Sequence, residues 1–67
     1  MSKFIELVAL EGHVEMVNVQ HILAIVHPMK ENAEKGAGCV TVMTDGRGIP
    51  YATKYEAVKL ALEAVKP

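Results

Sequence analysis

The sequence has little of what a small protein uses to hold itself together. It contains one cysteine and no tryptophan, and only three of its 67 residues are aromatic. A single cysteine excludes an internal disulfide, and a lone thiol is typical of a reducing compartment. No cysteine and histidine residues have the spacing of a structural zinc site. Because a chain this short buries only about 60% of its unfolded surface, we expect a second subunit to contribute to stability.

Neither sign of charge is in excess, and no long apolar run is present. The formal net charge is −1, whereas a nucleic-acid-binding domain normally carries a basic surface. No apolar run approaches the roughly 18 residues of a membrane span, and the first residues lack the layout of a signal peptide. The sequence therefore predicts a single soluble domain, residues 1–67, that is cytoplasmic, does not insert into a membrane and does not bind nucleic acid.

Apolar residues make up 51% of the chain, and most of them alternate as β-strands require. Gly12 and Asp45-Gly46 supply the turn signals between neighbouring runs, and Pro50 is typical of a strand at a sheet edge. The predicted strands are Lys3–Leu10, His13–Val17, Ile22–His27, Cys39–Thr44 and Ile49–Ala52.

The first two predicted strands differ in their patterns. The first is apolar on both faces, with Ile5, Leu7 and Ala9 on one side, which is typical of a central strand or of one covered by another subunit. In the second, we expect Val14 and Met16 to point inward. Their neighbours His13 and Glu15 would then face solvent.

The segment from Met29 to Gly38 is polar and contains glycine. It could form a helical turn between Met29 and Lys35, but its composition favours a mobile hairpin loop. Further on, Thr53 and Glu56 have the spacing of a capping box. We therefore predict a helix over Lys54–Val65, the longest in the chain.

The apolar surface of this helix is wider than one sheet requires. At 100° per residue, Tyr55, Val58, Leu62 and Val65 form the stripe that would face a sheet. The charged positions Glu56, Lys59, Glu63 and Lys66 occupy roughly a quarter of the circumference. The remaining apolar positions predict a self-association surface; they are Ala57, Leu60, Ala61 and Ala64. The alternative is one exposed leucine among alanines that favour the helix.

Little in the sequence indicates a chemical site. Arg47 and Lys35 lie in glycine-containing turns that match no phosphate-binding motif, although with His27 they could hold an anion between subunits. His21 and His27 would be about 20 Å apart along a strand, too far to share a metal. Cys39 lies at a strand start with no base at a fixed offset, which indicates a semi-buried residue. We expect no enzyme activity, no cofactor and no metal.

The order of these elements resembles one known family. The run Val17-Asn18-Val19-Gln20-His21-Ile22, the Thr44-Asp45-Gly46 hairpin and the terminal helix are similar to the small flagellar and swarming-motility proteins. The resemblance implies a non-enzymatic fold of strands closed by a helix. The Met29–Gly38 segment and the Arg47-Gly48-Ile49-Pro50 run depart from it. The strands are also similar to LytTR-type DNA-binding domains, whose basic surface this chain lacks.

We therefore predict an α+β fold, mainly β. It would be a small antiparallel meander or partly closed barrel of four or five strands with one C-terminal helix. Its predicted function is that of a non-catalytic interaction or assembly module acting as a dimer or higher homo-oligomer, with another protein as a further partner. One alternative is a protein that binds a small anionic, nucleotide-like ligand between subunits. Another is a regulator that binds a partner protein or nucleic acid.

Overall fold

The computed structural model describes residues 3–65, and Lys66, counted above among the charged helix positions, lies outside them. In chain order the elements are β1 (Phe4–Val8), β2 (Val14–Asn18), a 3₁₀ turn (Val19–His21), β3 (Ile22–Val26), α1 (Lys30–Glu34), β4 (Cys39–Met43), β5 (Gly48–Tyr51) and α2 (Tyr55–Ala64). Every pairing between strands is antiparallel. The predicted fold class, α+β and mainly β with a C-terminal helix, is confirmed.

The strands form two sheets that are joined along one side. One sheet has the order β1-β2 and the other β3-β4-β5. A bridge between Ala9 and Tyr51 connects them, supported by a 2.7 Å hydrogen bond from the Ala52 amide to the Val8 carbonyl. Between β2 and β3 the chain makes its 3₁₀ turn, where the Asn18 side chain accepts a hydrogen bond from the Gln20 amide. The sheets therefore do not close into a barrel, and β2 and β3 are the outer strands.

The prediction that Val14 and Met16 point inward is wrong. They are 58% and 62% exposed, while Val17 is buried. The reason lies in the register, because Glu15 is opposite Leu7 and Val17 is opposite Ile5. Residues directly opposite each other share a face, so the buried face of β1 fixes the buried face of β2. β1 buries Ile5 and Leu7, with Ala9 just after it, on one face and leaves Phe4 and Val8 exposed on the other.

The core lies between the two sheets and α2. Leu7, Cys39, Thr41 and Val58 are fully buried. Thr41 Oγ1 donates a hydrogen bond to the Ile49 carbonyl, which offsets the cost of burying its hydroxyl. The remaining core side chains come from the same sheet faces and are Ile5, Val17, Met43 and Tyr51.

The segment from Met29 to Gly38 contains the short helix α1, so the helical alternative describes it better than the hairpin loop favoured by its composition. The Ala33 amide bonds to the Met29 carbonyl, and Gly36 follows the helix with φ 98°. A glycine in this left-handed conformation is the usual residue just after a helix. Ala37 then enters the core, which returns the chain to β4.

The predicted helix is confirmed as α2, but the predicted capping box is wrong. Lys54 is the N-cap residue and makes no side-chain cap hydrogen bond. The hydroxyl of Thr53 instead accepts a hydrogen bond from the Val8 amide at 2.8 Å. At the start of the helix, the Tyr55 amide donates to the Gly38 carbonyl at 3.0 Å. Contacts with the sheets have replaced the local cap.

Candidate functional site

The outer side of α2 carries the surface that the sequence predicts for self-association. Ala57, Leu60 and Ala64 are exposed, with Leu60 at 67%, and we call these three residues the helix stripe. Ala61, the fourth predicted residue, is half-buried and packs against the core. It therefore belongs to the flank of the buried face. The exposed apolar part of the helix is narrower than the sequence indicates.

Arg47 lies in the β4–β5 turn, where its partner is Asp45. The Nε atom of Arg47 is 2.7 Å from Oδ2 of Asp45, and the Arg47 amide donates to Oδ1 at 3.0 Å. These interactions, the amide hydrogen bond first, lower the pKa of Asp45. Both side chains are more than half exposed. The guanidinium therefore has a local partner within its own turn.

One chain does not bring the three predicted anion ligands together. His27 follows β3 beside the first residues of β4, since Val26 pairs with Val40. Its ring stacks on Tyr55 with centroids 4.0 Å apart. Lys35 is exposed at the end of α1. Arg47 lies beyond the other end of β4, about 15 Å along the strand. An anion site shared between subunits stays a prediction.

A polar cluster that the sequence does not predict surrounds Glu15 on the inner face of β2. Glu15 is half-buried, whereas His13 is exposed, as the sequence predicts. Tyr51 donates its hydroxyl to Oε1 of Glu15 at 3.1 Å, and the His13 ring is 2.8 Å from Oε2. The hydrogen bonds from His13 and Tyr51 lower the pKa of Glu15. Burial, and then the Glu15 carboxylate, raise the pKa of Tyr51 to about 12. Each group has a partner, so the cluster is suited to holding β2 against β5.

The outer face of the β1–β2 ribbon is apolar and exposed. Val8 and Val14 are directly opposite each other, and Met16 is opposite Glu6. Phe4, Val8, Val14 and Met16 are between 37% and 62% exposed. The wrong inward assignment of β2 concealed this surface in the sequence. Glu6 is also exposed on the same face, so a carboxylate lies within the apolar surface.

A groove of about 430 Å³ opens along β3, on the side away from β4. Its walls come from the 3₁₀ turn, β3 and the last turn of α2. The residues that line it are Val19, Gln20, Ile22, Leu23, Ala24, Ile25, Leu62 and Val65. None of them is charged. We call this feature the β3 groove, and none of its lining residues belongs to β1, β2 or β4.

Within residues 3–65, the structure brings together no group of three or more histidine, cysteine or acidic residues that could hold a metal ion. Cys39 is completely buried, and burial raises the pKa of its thiol. A protonated and inaccessible thiol is a poor nucleophile. Cys39 is therefore more deeply buried than the semi-buried residue that the sequence predicts.

No family model, curated protein or solved structure matches this chain in comparison searches. The resemblance to small motility proteins is accordingly untested by any of the three. In the part of the chain that the structure describes, no helix is long and apolar enough to cross a membrane. Any inference about function therefore rests on the surfaces of the molecule.

Proposed function

We propose that this protein is a small, non-catalytic interaction module that works as a homo-oligomer, with its apolar surfaces as the contacts between copies. The observation that carries the proposal is the set of large apolar side chains left outside the core. Eight of them are exposed in residues 3–65: Phe4, Val8, Val14, Met16, Leu23, Val26, Met29 and Leu60. Nine apolar residues are buried. Single exposed hydrophobic residues are ordinary, but adjacent ones on one face mark interaction surfaces.

The helix stripe is the contact that the proposal assigns to α2. Leu60 projects almost directly away from the core side of the helix, and Ala57 and Ala64 have side chains small enough for a second helix to approach closely. Glu56 and Glu63 are exposed on the same helix, and in a symmetric pair they would meet the exposed Lys59 or solvent at the rim. The module would act in the cytoplasm, since its one thiol suits a reducing compartment, and a further protein could dock on the assembly.

The test is the mass of the purified protein by light scattering across the micromolar to millimolar range. We expect the apparent mass to rise above 7.3 kDa as concentration increases. Leu60→Glu should reduce this rise, because it places a charge in the centre of the helix stripe. Its folding should be unchanged by circular dichroism, since Leu60 is outside the core.

The control variant is Ala33→Glu, which introduces the same charge at an exposed residue of α1 outside both the helix stripe and the eight exposed apolar side chains. It should associate as the wild type does. A wild-type protein that stays monomeric throughout the concentration range would overturn the proposed function. If Leu60→Glu and Ala33→Glu associate equally well, the helix stripe is not a contact between copies.

A further inference from the structure

The outer edge of β3 has a β-bulge between Ile22 and Ala24, but no charge or proline protects it. All five residues of Ile22–Val26 are apolar, and the strand pairs with β4 on one side only. Proteins usually protect such edges with a charge, a proline or an inward-pointing acid. The other outer strand, β2, has such an acid in Glu15, which faces the core side. β3 has no charged residue and no proline.

The β3 groove opens along this same edge. Ile22 and Ile25 of β3 face Leu62 and Val65 of α2 across it, and all four are only half-buried. At its rim, Leu23 is 69% exposed. A strand added to this edge would therefore do two things together. It would bond to the free backbone groups of β3, and it would cover the apolar walls of the groove.

We infer that the occupant of this edge is β3 of a second copy, paired antiparallel around a twofold axis. The inference rests on the proposed homo-oligomer and names a strand contact within it. In a twofold interface each residue lies near its own counterparts, so a charged edge would repel itself, whereas β3 has no charge to repel. The pairing extends β3-β4-β5 into a sheet of six strands. It also brings the Leu62 and Val65 side chains of both copies to the same seam.

The shape of β3 limits how large this contact is. A register shift between Ile22 and Ala24 marks a β-bulge against β4, and a bulge twists its strand. The regular part is Ala24–Val26, so the twofold axis falls within it. A contact of this length is small beside the interfaces of stable complexes, which bury at least about 1,200 Å². We therefore expect a weak dimer whose population depends on protein concentration.

The experiment compares two leucines that lie on different surfaces but have nearly the same exposed fraction. Leu23, at the β3 edge, is 69% exposed, and Leu60, on the helix stripe, is 67% exposed. Each is replaced by glutamate, and the dissociation constant is measured by sedimentation equilibrium on the full chain. We expect Leu23→Glu to raise the dissociation constant at least about tenfold, the effect of losing one well-packed contact. Circular dichroism confirms that each variant folds.

Each outcome decides between the two contacts. A wild type that is monomeric throughout overturns the homo-oligomer and this inference with it. A wild-type oligomer that Leu23→Glu leaves unchanged overturns the strand contact alone. In that case a strand of another protein is left as the occupant of the edge, and the effect of Leu60→Glu reports whether the helix stripe holds the oligomer.

Amide hydrogen exchange gives a second readout that needs no substitution. If the edge pairs with a second copy, outward-facing amides within Ala24–Val26 exchange more slowly as protein concentration rises. Amides of β2, the other outer strand, serve as the internal comparison and keep the same rate. Exchange in β3 that is independent of concentration, in a sample shown to be oligomeric, contradicts the strand contact.

Discussion

Tyr51 and Glu15 connect strands that are 36 residues apart in the sequence. The Tyr51 side chain is almost fully buried, and its hydroxyl donates to the Glu15 carboxylate. Burial comes first among the causes that raise the pKa of Tyr51 to about 12, above an ordinary value near 10. The folded protein therefore holds this proton more tightly than the unfolded chain does.

This difference predicts a loss of stability in alkali. The contribution of Tyr51 is complete below about pH 10 and disappears as the pH rises to about 12, because the unfolded chain loses the proton first. A shift of this size corresponds to about 2 to 3 kcal/mol of unfolding free energy. Chemical denaturation of wild type and Tyr51→Phe at several pH values measures it as the difference between the two proteins.

The phenolate absorbance gives an independent check on the same residue. Subtracting the alkaline titration of Tyr51→Phe from that of wild type isolates the Tyr51 phenol. We expect a midpoint near the folded value of about 12. A midpoint near 10 would show that the hydroxyl is in solvent, and with it that Glu15 does not face the core side of β2.

The residues of this cluster show what alternation can and cannot determine. In β2, Val14 and Met16 alternate with Glu15 and Val17, so one face has two apolar residues and the other has one. Counting favours the wrong face. Pairing with β1 determines which face of β2 is buried. The hydrogen bond from Tyr51 offsets the cost of placing the Glu15 carboxylate on that buried face. Neither fact is contained in the local sequence.

At the scale of elements, Gly38 fixes the start of α2 against the loop that follows α1. Its amide donates to the Tyr51 carbonyl at 2.8 Å, and its carbonyl accepts from the Tyr55 amide. A Cβ atom here would lie 2.6 Å from the Ala52 carbonyl oxygen and 2.7 Å from backbone atoms of Thr53 and Lys54. Those atoms are backbone, so they cannot move aside as a flexible side chain would.

We therefore expect Gly38→Ala to lower the free energy of unfolding by about 1 to 3 kcal/mol, the usual cost of overpacking. Urea denaturation followed by circular dichroism measures this loss. Gly48→Ala is the matched control, because its Cβ would meet only a Val40 methyl group at 3.5 Å. It should have an effect of about 0.5 kcal/mol or less. Equal losses in the two variants would contradict the close approach at Gly38.

The elements themselves were predictable where the signal is local. The 100° periodicity of Tyr55, Val58 and Leu62 predicts both α2 and its buried side. The helix packs against the core by that side, as predicted. The capping-box prediction is wrong because the Thr53 hydroxyl accepts a hydrogen bond from the Val8 amide and not from an amide of α2. Composition predicts a loop where α1 lies, because five residues are too few for a helical periodicity to show.

At the scale of the whole molecule, the sequence predicts the strands but not the gap between them. A simple meander would pair β2 with β3, whereas the 3₁₀ turn at Val19–His21 separates these strands. The walls of the β3 groove come from elements up to 46 positions apart, so no spacing rule predicts it. The helix stripe, in contrast, lies on one helix and could be inferred from periodicity.

Cys39 can report on the stability of the whole assembly. Its side chain is fully buried at the start of β4, so an alkylating reagent reaches it only when the fold opens. We expect labelling in native buffer to be slower than in denaturant by about a thousandfold or more, the ratio that a stability of several kcal/mol implies. Mass spectrometry of the intact protein measures both rates without a substitution.

Concentration dependence makes this measurement a test of assembly as well as of burial. If copies associate only when folded, raising the protein concentration shifts the equilibrium away from the open chain. Labelling of Cys39 should then slow as concentration rises, and Leu23→Glu or Leu60→Glu should weaken that dependence according to which contact holds the oligomer. A labelling rate that is slow but equal at all concentrations would assign the protection to the monomer core alone. Rapid labelling in native buffer would contradict the buried position of β4.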